Sequence, residues 1–181
     1  MDSAGEIVVS AGGGVVGQAL YDAALGASAL PTCQHWPWRI LVGRNAGVAT
    51  FDRLAAAAGG NVTVEWARPD FPALLHRAAV SVSQAGYNTA ADLLDAATPA
   101  VLVPFADGGE KEQTIRAQVM AEAGRAVVLR NEDLSASRLA AAVTAALALT
   151  PGATRPVAMN GAECSAELIL QALLQRAGGH E

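Results

Sequence analysis

The chain has 181 residues, enough for one domain, and its 52% hydrophobic and 16% charged residues supply the apolar surplus that a disordered chain lacks. A formal net charge of -5 with no Lys/Arg-rich run excludes a nucleic-acid backbone as the main partner, yet leaves room for an anion held by backbone amides. Cys33 and Cys164 form neither a CxxC pair nor a His/Cys cluster, which excludes a zinc site and a disulfide framework and suits a reducing cytoplasm.

Met1 to Glu6 lack the basic and apolar regions of a signal peptide, and every apolar run stops short of a membrane span. Along the chain, short apolar β-rich runs alternate with longer helical patterns. Ile7 to Ser10 predicts a strand, followed by the cluster Gly12-Gly13-Gly14 and a helix over Val15 to Leu25. A loop from Leu30 to Trp38, with two prolines and two tryptophans, leads to a strand over Arg39 to Val42 and a helix over Val48 to Ala58. A third strand is expected over Val62 to Glu65, a short helix over Asp70 to His76, and a fourth strand over Val80 to Ser83. Thr89 to Ala97 reads as a helix, Ala100 to Val103 as a strand, and Glu110 to Ala123 as a helix. A sixth strand over Ala126 to Leu129 and two helices, Ser135 to Leu149 and Ala162 to Ala177, complete the chain. The alternation predicts an α/β fold: a Rossmann-like, doubly wound parallel sheet of six strands with C-terminal helices. Ligands of such sheets sit outside the carboxyl ends of the strands, so the loops after residues 10, 65, 83 and 104 carry the function.

Gly12-Gly13-Gly14-Val15-Val16-Gly17 matches GxGxxG between a strand and a helix. It reads either as a diphosphate cradle or as a tight turn needing positive φ. A dinucleotide fingerprint also needs an acid about 20 residues on. The second strand ends instead at Gly43-Arg44, where Arg44 suits a 2′-phosphate, so an NADP-binding dehydrogenase domain stays open as an alternative.

Gln84-Ala85-Gly86-Tyr87-Asn88-Thr89-Ala90-Ala91-Asp92 lies where a strand hands over to a helix. Gly86 permits a sharp turn, while Asn88, Thr89 and the free amides of a helix start make an anion site. The two oxygens of Asp92 suit a vicinal diol, with Ala90, Leu93, Leu94 and Ala97 on the buried stripe. A competing reading makes Thr89-x-x-Asp92 a variant capping box with no ligand.

This segment resembles the C-terminal domain of GT-B fold glycosyltransferases, of the glycosyltransferase family 28 C-terminal type. The nearest group adds N-acetylglucosamine to the bacterial peptidoglycan lipid intermediate. Small-molecule UDP-sugar transferases share the signature H-C-G-W-N-S-x-x-E, which residues 84–92 follow without a gap, Gly86 and Asn88 being identical. Tyr87, Thr89 and Asp92 replace its Trp, Ser and Glu. The resemblance implies phosphate binding by the Gly86–Thr89 turn and ribose binding by Asp92. Gln84 departs from the signature histidine and cannot be a cation, which favours the lipid-intermediate group.

Upstream, Trp66-Ala67-Arg68-Pro69-Asp70-Phe71 resembles the uracil-binding segment, where backbone at the Arg68 position pairs with the base. Trp66 either stacks on the base or packs into the core at the strand end, and packing needs no ligand to explain it. His76 and Arg77 suit a helix C-terminus and take no catalytic role. Downstream, the resemblance gives Glu112 and Gln113 the sugar hydroxyls. Their alternative is a plain helix start, with Glu112 pairing Arg116 at i+4 and Ile115, Val119, Met120 and Ala123 in the core.

The ordered motifs, from about Glu6 to Leu147, imply that residues 1–181 form the UDP-sugar donor domain of a two-domain enzyme whose N-terminal acceptor domain is absent. Such a piece is expected to be inactive alone, with the catalytic base in the missing domain. No DxD metal motif is visible, so neither metal nor cofactor is expected. The chain is expected to be cytoplasmic, with peripheral membrane contact in the full-length protein where the acceptor is lipid-linked. A UDP-sugar epimerase half and a non-catalytic nucleotide-binding module remain as further alternatives.

Overall fold

The computed structural model describes residues 5–12, 17–105, 111–149 and 161–177. Six strands, β1 (Ile7–Ser10), β2 (Trp38–Val42), β3 (Val62–Trp66), β4 (Val80–Ser83), β5 (Ala100–Leu102) and β6 (Ala126–Val128), form one sheet in the order β3-β2-β1-β4-β5-β6. Every neighbouring pair is parallel. The helices are α1 (Gln18–Ser28), α2 (Val48–Ala57), α3 (Phe71–Leu75), α4 (Tyr87–Ala96), α5 (Glu112–Glu122), α6 (Ala136–Leu147) and α7 (Gly161–Ala177). The expected doubly wound α/β fold is what the chain adopts.

Strand alternation sorts the side chains onto two faces. Ile7, Val9, Ile40, Val42, Val80, Val82 and Val101 face a core built with Leu20, Tyr21 and Ala24 of α1, Leu54 of α2 and Leu139 and Val143 of α6. On the other face Leu75, Leu93 of α4 and Ala117 and Met120 of α5 pack on Ala100 and Leu102. Val8 and Leu41 meet Leu74 of α3 there. Beyond them, over β2 and β3, the sheet is shielded by ion pairs. Arg39 grips Glu6 at 2.6 and 2.8 Å and bonds Glu65, which also receives Arg68 at 3.2 Å. Arg68 in turn holds Asp70 through two bonds of 2.6 and 2.7 Å. The bond from Arg39 holds the Glu6 carboxyl below its ordinary range, against the opposing effect of burial, and that from Arg68 does the same for Asp70.

Two expectations about side-chain placement are corrected. Ile115 and Val119, read as core, are 61% and 47% exposed, because α5 turns Ala117 inward in their place, while Met120 and Ala123 are buried as expected. Ala97 is not on the buried stripe of α4. It is exposed and closes the helix as a left-handed C-cap at φ 54°.

Candidate functional site

The strand order reverses between β1 and β4, so the crevice of this fold opens at the carboxyl ends of those strands. Ser10 and Ser83, the last residues of the two strands, are register partners there.

After β1 the chain turns through Gly12 at φ +65°, a conformation that glycine alone adopts freely, and the Gly12 N–H donates to the Ser10 hydroxyl at 3.3 Å. Gly13 and Gly14, also expected to cradle phosphate, lie outside the described residues. Gly17 caps α1 so tightly against β1 that a Cβ would stand 2.3 Å from the Ala11 Cβ. The Tyr21 phenol, buried one turn into α1, donates to the Leu41 carbonyl at 3.2 Å and accepts from the Gly43 N–H at 3.3 Å. Burial pushes its pKa up, so it stays a neutral tie between α1 and the end of β2. Arg44 follows in an exposed 3-10 turn, Arg44–Ala46.

At the end of β4 the helix starts earlier than the sequence suggests. Gly86 is the N-cap and Tyr87 the first helical residue of α4, with no side-chain cap bond. Thr89 is therefore the third residue of the helix rather than its cap, and the capping-box alternative is not what forms. The N–H groups of Tyr87, Asn88 and Thr89 consequently have no partner among the described residues. Asp92 is four residues beyond Asn88 and three beyond Thr89, which puts all three on one side of α4. Its half-buried carboxylate makes no hydrogen bond or ion pair with any described residue. Gln84 is half-buried at the start of the turn and Tyr87 is 76% exposed.

From the β5 side, Gln113 reaches back so that its side-chain oxygen accepts from the Phe105 N–H at 3.1 Å, which fixes the amide and leaves its NH2 group to donate. Glu112 sits in the first turn of α5 with its side chain 81% exposed, and its expected contact with Arg116 forms at 3.9 Å.

At the end of β3 the Trp66 ring stacks on Phe51 of α2, with centroids 4.5 Å apart and planes 12° apart, so one face of the indole belongs to the packed side of the sheet. The Arg68 side chain is held by Glu65 and Asp70, while its backbone N–H has no partner among the described residues. His76 caps α3 and stands 3.5 Å from Asp95.

The predicted residues thus share the carboxyl edge of the sheet, distributed over the ends of β1, β3 and β4 and the start of α5. A separate cavity of about 440 Å³ lies toward the opposite edge, lined by Glu6, Pro37, Arg39, Leu74 and Arg77, and shares only Arg68 with them. Sequence reasoning missed the link between the β4 turn and α5. Arg116 donates to the Ala85 carbonyl at 2.6 Å and lies 5.7 Å from the centre of the Tyr87 ring. Its spacing from Glu112 pointed only to a surface pair. Ser83 was also missed: its hydroxyl is buried and has no hydrogen-bond partner among the described residues.

Comparison with known proteins agrees with this fold. The model of the glycosyltransferase family 28 C-terminal domain matches residues 18–167. The UDP-N-acetylglucosamine--N-acetylmuramyl-(pentapeptide) pyrophosphoryl-undecaprenol N-acetylglucosamine transferase of Rhodospirillum centenum is 33% identical over 127 residues, 68% of this chain and 33% of the relative. The protein of the same name from Syntrophotalea carbinolica is 30% identical over 155 residues, 83% of this chain and 42% of the relative. The chain therefore spans less than half the length of these relatives. Among solved structures, MurG of Acinetobacter baumannii shares the fold at a TM-score of 0.65 and 22% identity, over 85% of this chain and 44% of that one. The chain belongs to the glycosyltransferase family 28 C-terminal domain family.

Proposed function

We propose that the chain binds a UDP-sugar at the carboxyl ends of β1, β4 and β5 and, within a longer two-domain glycosyltransferase, presents it for transfer to an acceptor hydroxyl. The observation that carries this reading is the start of α4. Three adjacent amides without partners among the described residues open the helix, and the Asp92 carboxylate, unengaged among those residues, lies on the side of Asn88 and Thr89, beside the point where the sheet order reverses. Amides at a helix N-terminus suit the diphosphate, and the Asp92 carboxylate suits the two ribose hydroxyls. The turn through Gly12 lets phosphate approach the backbone from the β1 side, and the Arg68 N–H, without a partner among the described residues, meets the edge of the base. The Gln113 NH2 and the Glu112 carboxylate take sugar hydroxyls.

In transfer, the bond from the anomeric carbon to the β-phosphate oxygen breaks, and the negative charge that develops on the diphosphate is met by the start of α4. No residue of this chain is assigned the acceptor's proton. The base, and the contact with a lipid-linked acceptor such as the relatives' names describe, belong to the remainder of the longer enzyme. No metal or cofactor enters the proposal.

Calorimetric titration of UDP and of NADP into the chain, with Asp92→Ala as control, tests the reading. Binding of UDP that weakens in the variant supports it. Binding of NADP without UDP overturns it, and so does binding of neither.

A further inference from the structure

We propose that Arg116 supplies the positive charge that meets the donor's diphosphate in this chain, anchored for that task by the Ala85 carbonyl; this rests on the donor-site reading above. A diphosphate carries more charge than three amides neutralise, and the residue that opens the turn, Gln84, is neutral. Arg116 reaches the same turn from a different element. It projects from the second turn of α5 with its side chain 25% exposed, bonds the carbonyl of the residue just before Gly86, and lies close to the ring of Tyr87, the first residue of α4.

The donor count leaves it free to act. A guanidinium has five N–H groups in a planar fork. One goes to Ala85, and the nearest carboxylate among the described residues, that of Glu112, is 3.9 Å away, beyond a hydrogen bond. Arg39, Arg53, Arg68 and Arg130, by contrast, each hold a carboxylate at 2.6 to 2.9 Å. The Ser83 hydroxyl stands at the same turn, one residue before Gln84, on the face where α4 and α5 pack; it is 1% exposed and, like that of Ser81 deeper in β4, without a partner among the described residues. The Ala85 bond fixes one edge of the guanidinium and leaves the rest to approach the phosphates beside the α4 amides, where a planar cation binds two oxygens at once.

The test measures binding of UDP and of uridine to the unsubstituted chain, Arg116→Gln and Arg116→Lys, with a thermal melt of each. The expected result is a loss of about 10- to 100-fold in UDP affinity for Arg116→Gln, as for one charge-assisted contact, with uridine affinity unchanged. Arg116→Lys keeps the charge and recovers most of the UDP affinity. A purely structural Arg116 would displace the turn and Asp92 together, so equal losses for UDP and uridine overturn the proposal, as does UDP affinity that the Gln variant leaves unchanged. If Arg116→Gln melts below the assay temperature, Arg116→Lys decides: a folded Lys variant that binds UDP supports the proposal, and one that does not overturns it. Failure of the unsubstituted chain to bind UDP overturns the donor-site reading and this proposal together, whereas failure of the Arg116 arms alone leaves that reading standing.

Discussion

Asp92→Ala separates a ligand contact from a structural one because Asp92 supports nothing in the fold. It has no bonding partner among the described residues, and α4 is held by Ala90 and Leu93 rather than by its half-buried carboxylate. Alanine is also the better helix former, so stability should stay within about 0.5 kcal/mol of the unsubstituted chain. Bound to a ribose diol, the carboxylate would accept two charge-assisted hydrogen bonds. Losing them costs about 1.5–3 kcal/mol, or about 10- to 100-fold in affinity for UDP. The specific check is 2′-deoxy-UDP, which lacks one of the two hydroxyls. The unsubstituted chain should bind it more weakly than UDP, while the variant should scarcely distinguish the two, giving a coupling of about 1 kcal/mol between Asp92 and the 2′-hydroxyl. Calorimetry on the four combinations measures it. Equal losses for both ligands would refute a ribose contact, and a lowered melting temperature would refute the claim that Asp92 is structurally idle.

The ion pairs over β2 and β3 make stability depend on pH. Glu6 and Asp70 have lowered pKa values when folded, so the stability they add is complete above the ordinary carboxylate range and is lost as pH falls through their lowered values. Denaturant melts from pH 7 to 3 should show this decline, and Arg39→Met, costing about 1 kcal/mol at pH 7, should remove the part due to Glu6; an unchanged slope would mean that the Arg39–Glu6 pair is energetically silent. Ser135 caps α6 by accepting from the Arg138 N–H at 3.3 Å, so Ser135→Ala should cost about 1 kcal/mol in the same melts. Cys33 is buried, which raises its thiol pKa, whereas Cys164 is exposed. A thiol reagent should therefore label one cysteine rapidly in the native chain and the second only on unfolding.

The order of strands and helices was legible because most elements carry their own pattern. Three of the six strands are continuous runs of buried apolar or small residues, as parallel strands covered on both faces must be, and β2 departs from this only at Arg39. The misplacements have a common cause in contacts that a local pattern does not contain. The end of α1 was expected at Leu25, before Gly26, yet the helix runs to Ser28 because Gly26 lies against α6, where a Cβ would stand 2.7 Å from that of Ala136. On α5, Ile115 and Val119 outweigh Ala117 in hydrophobicity, so the sequence points to the wrong stripe. Close approach of α5 to Leu102 and Ala126 selects the small side chain, and Ala117 joins Met120 and Ala123 on the buried stripe in place of Ile115 and Val119.

The candidate site divides in the same way between local pattern and tertiary contact. Gly12, Arg68, Gln84 to Asp92 and Gln113 each sit at a strand end or helix start, a position that periodicity alone locates. Arg116 does not: it lies inside a helix, and its partner, the Ala85 carbonyl, is 31 residues earlier on another element. Arg116 stands one turn before Met120, on the buried side of α5 under either choice of face, and what a local pattern does not contain is the carbonyl that it reaches. In a chain of net charge -5 its half-buried guanidinium is directed to the β4 turn, beside a helix start with no side-chain cap. A negative total charge therefore does not bar the proposed phosphate contact at this edge, which draws on one arginine and three amides.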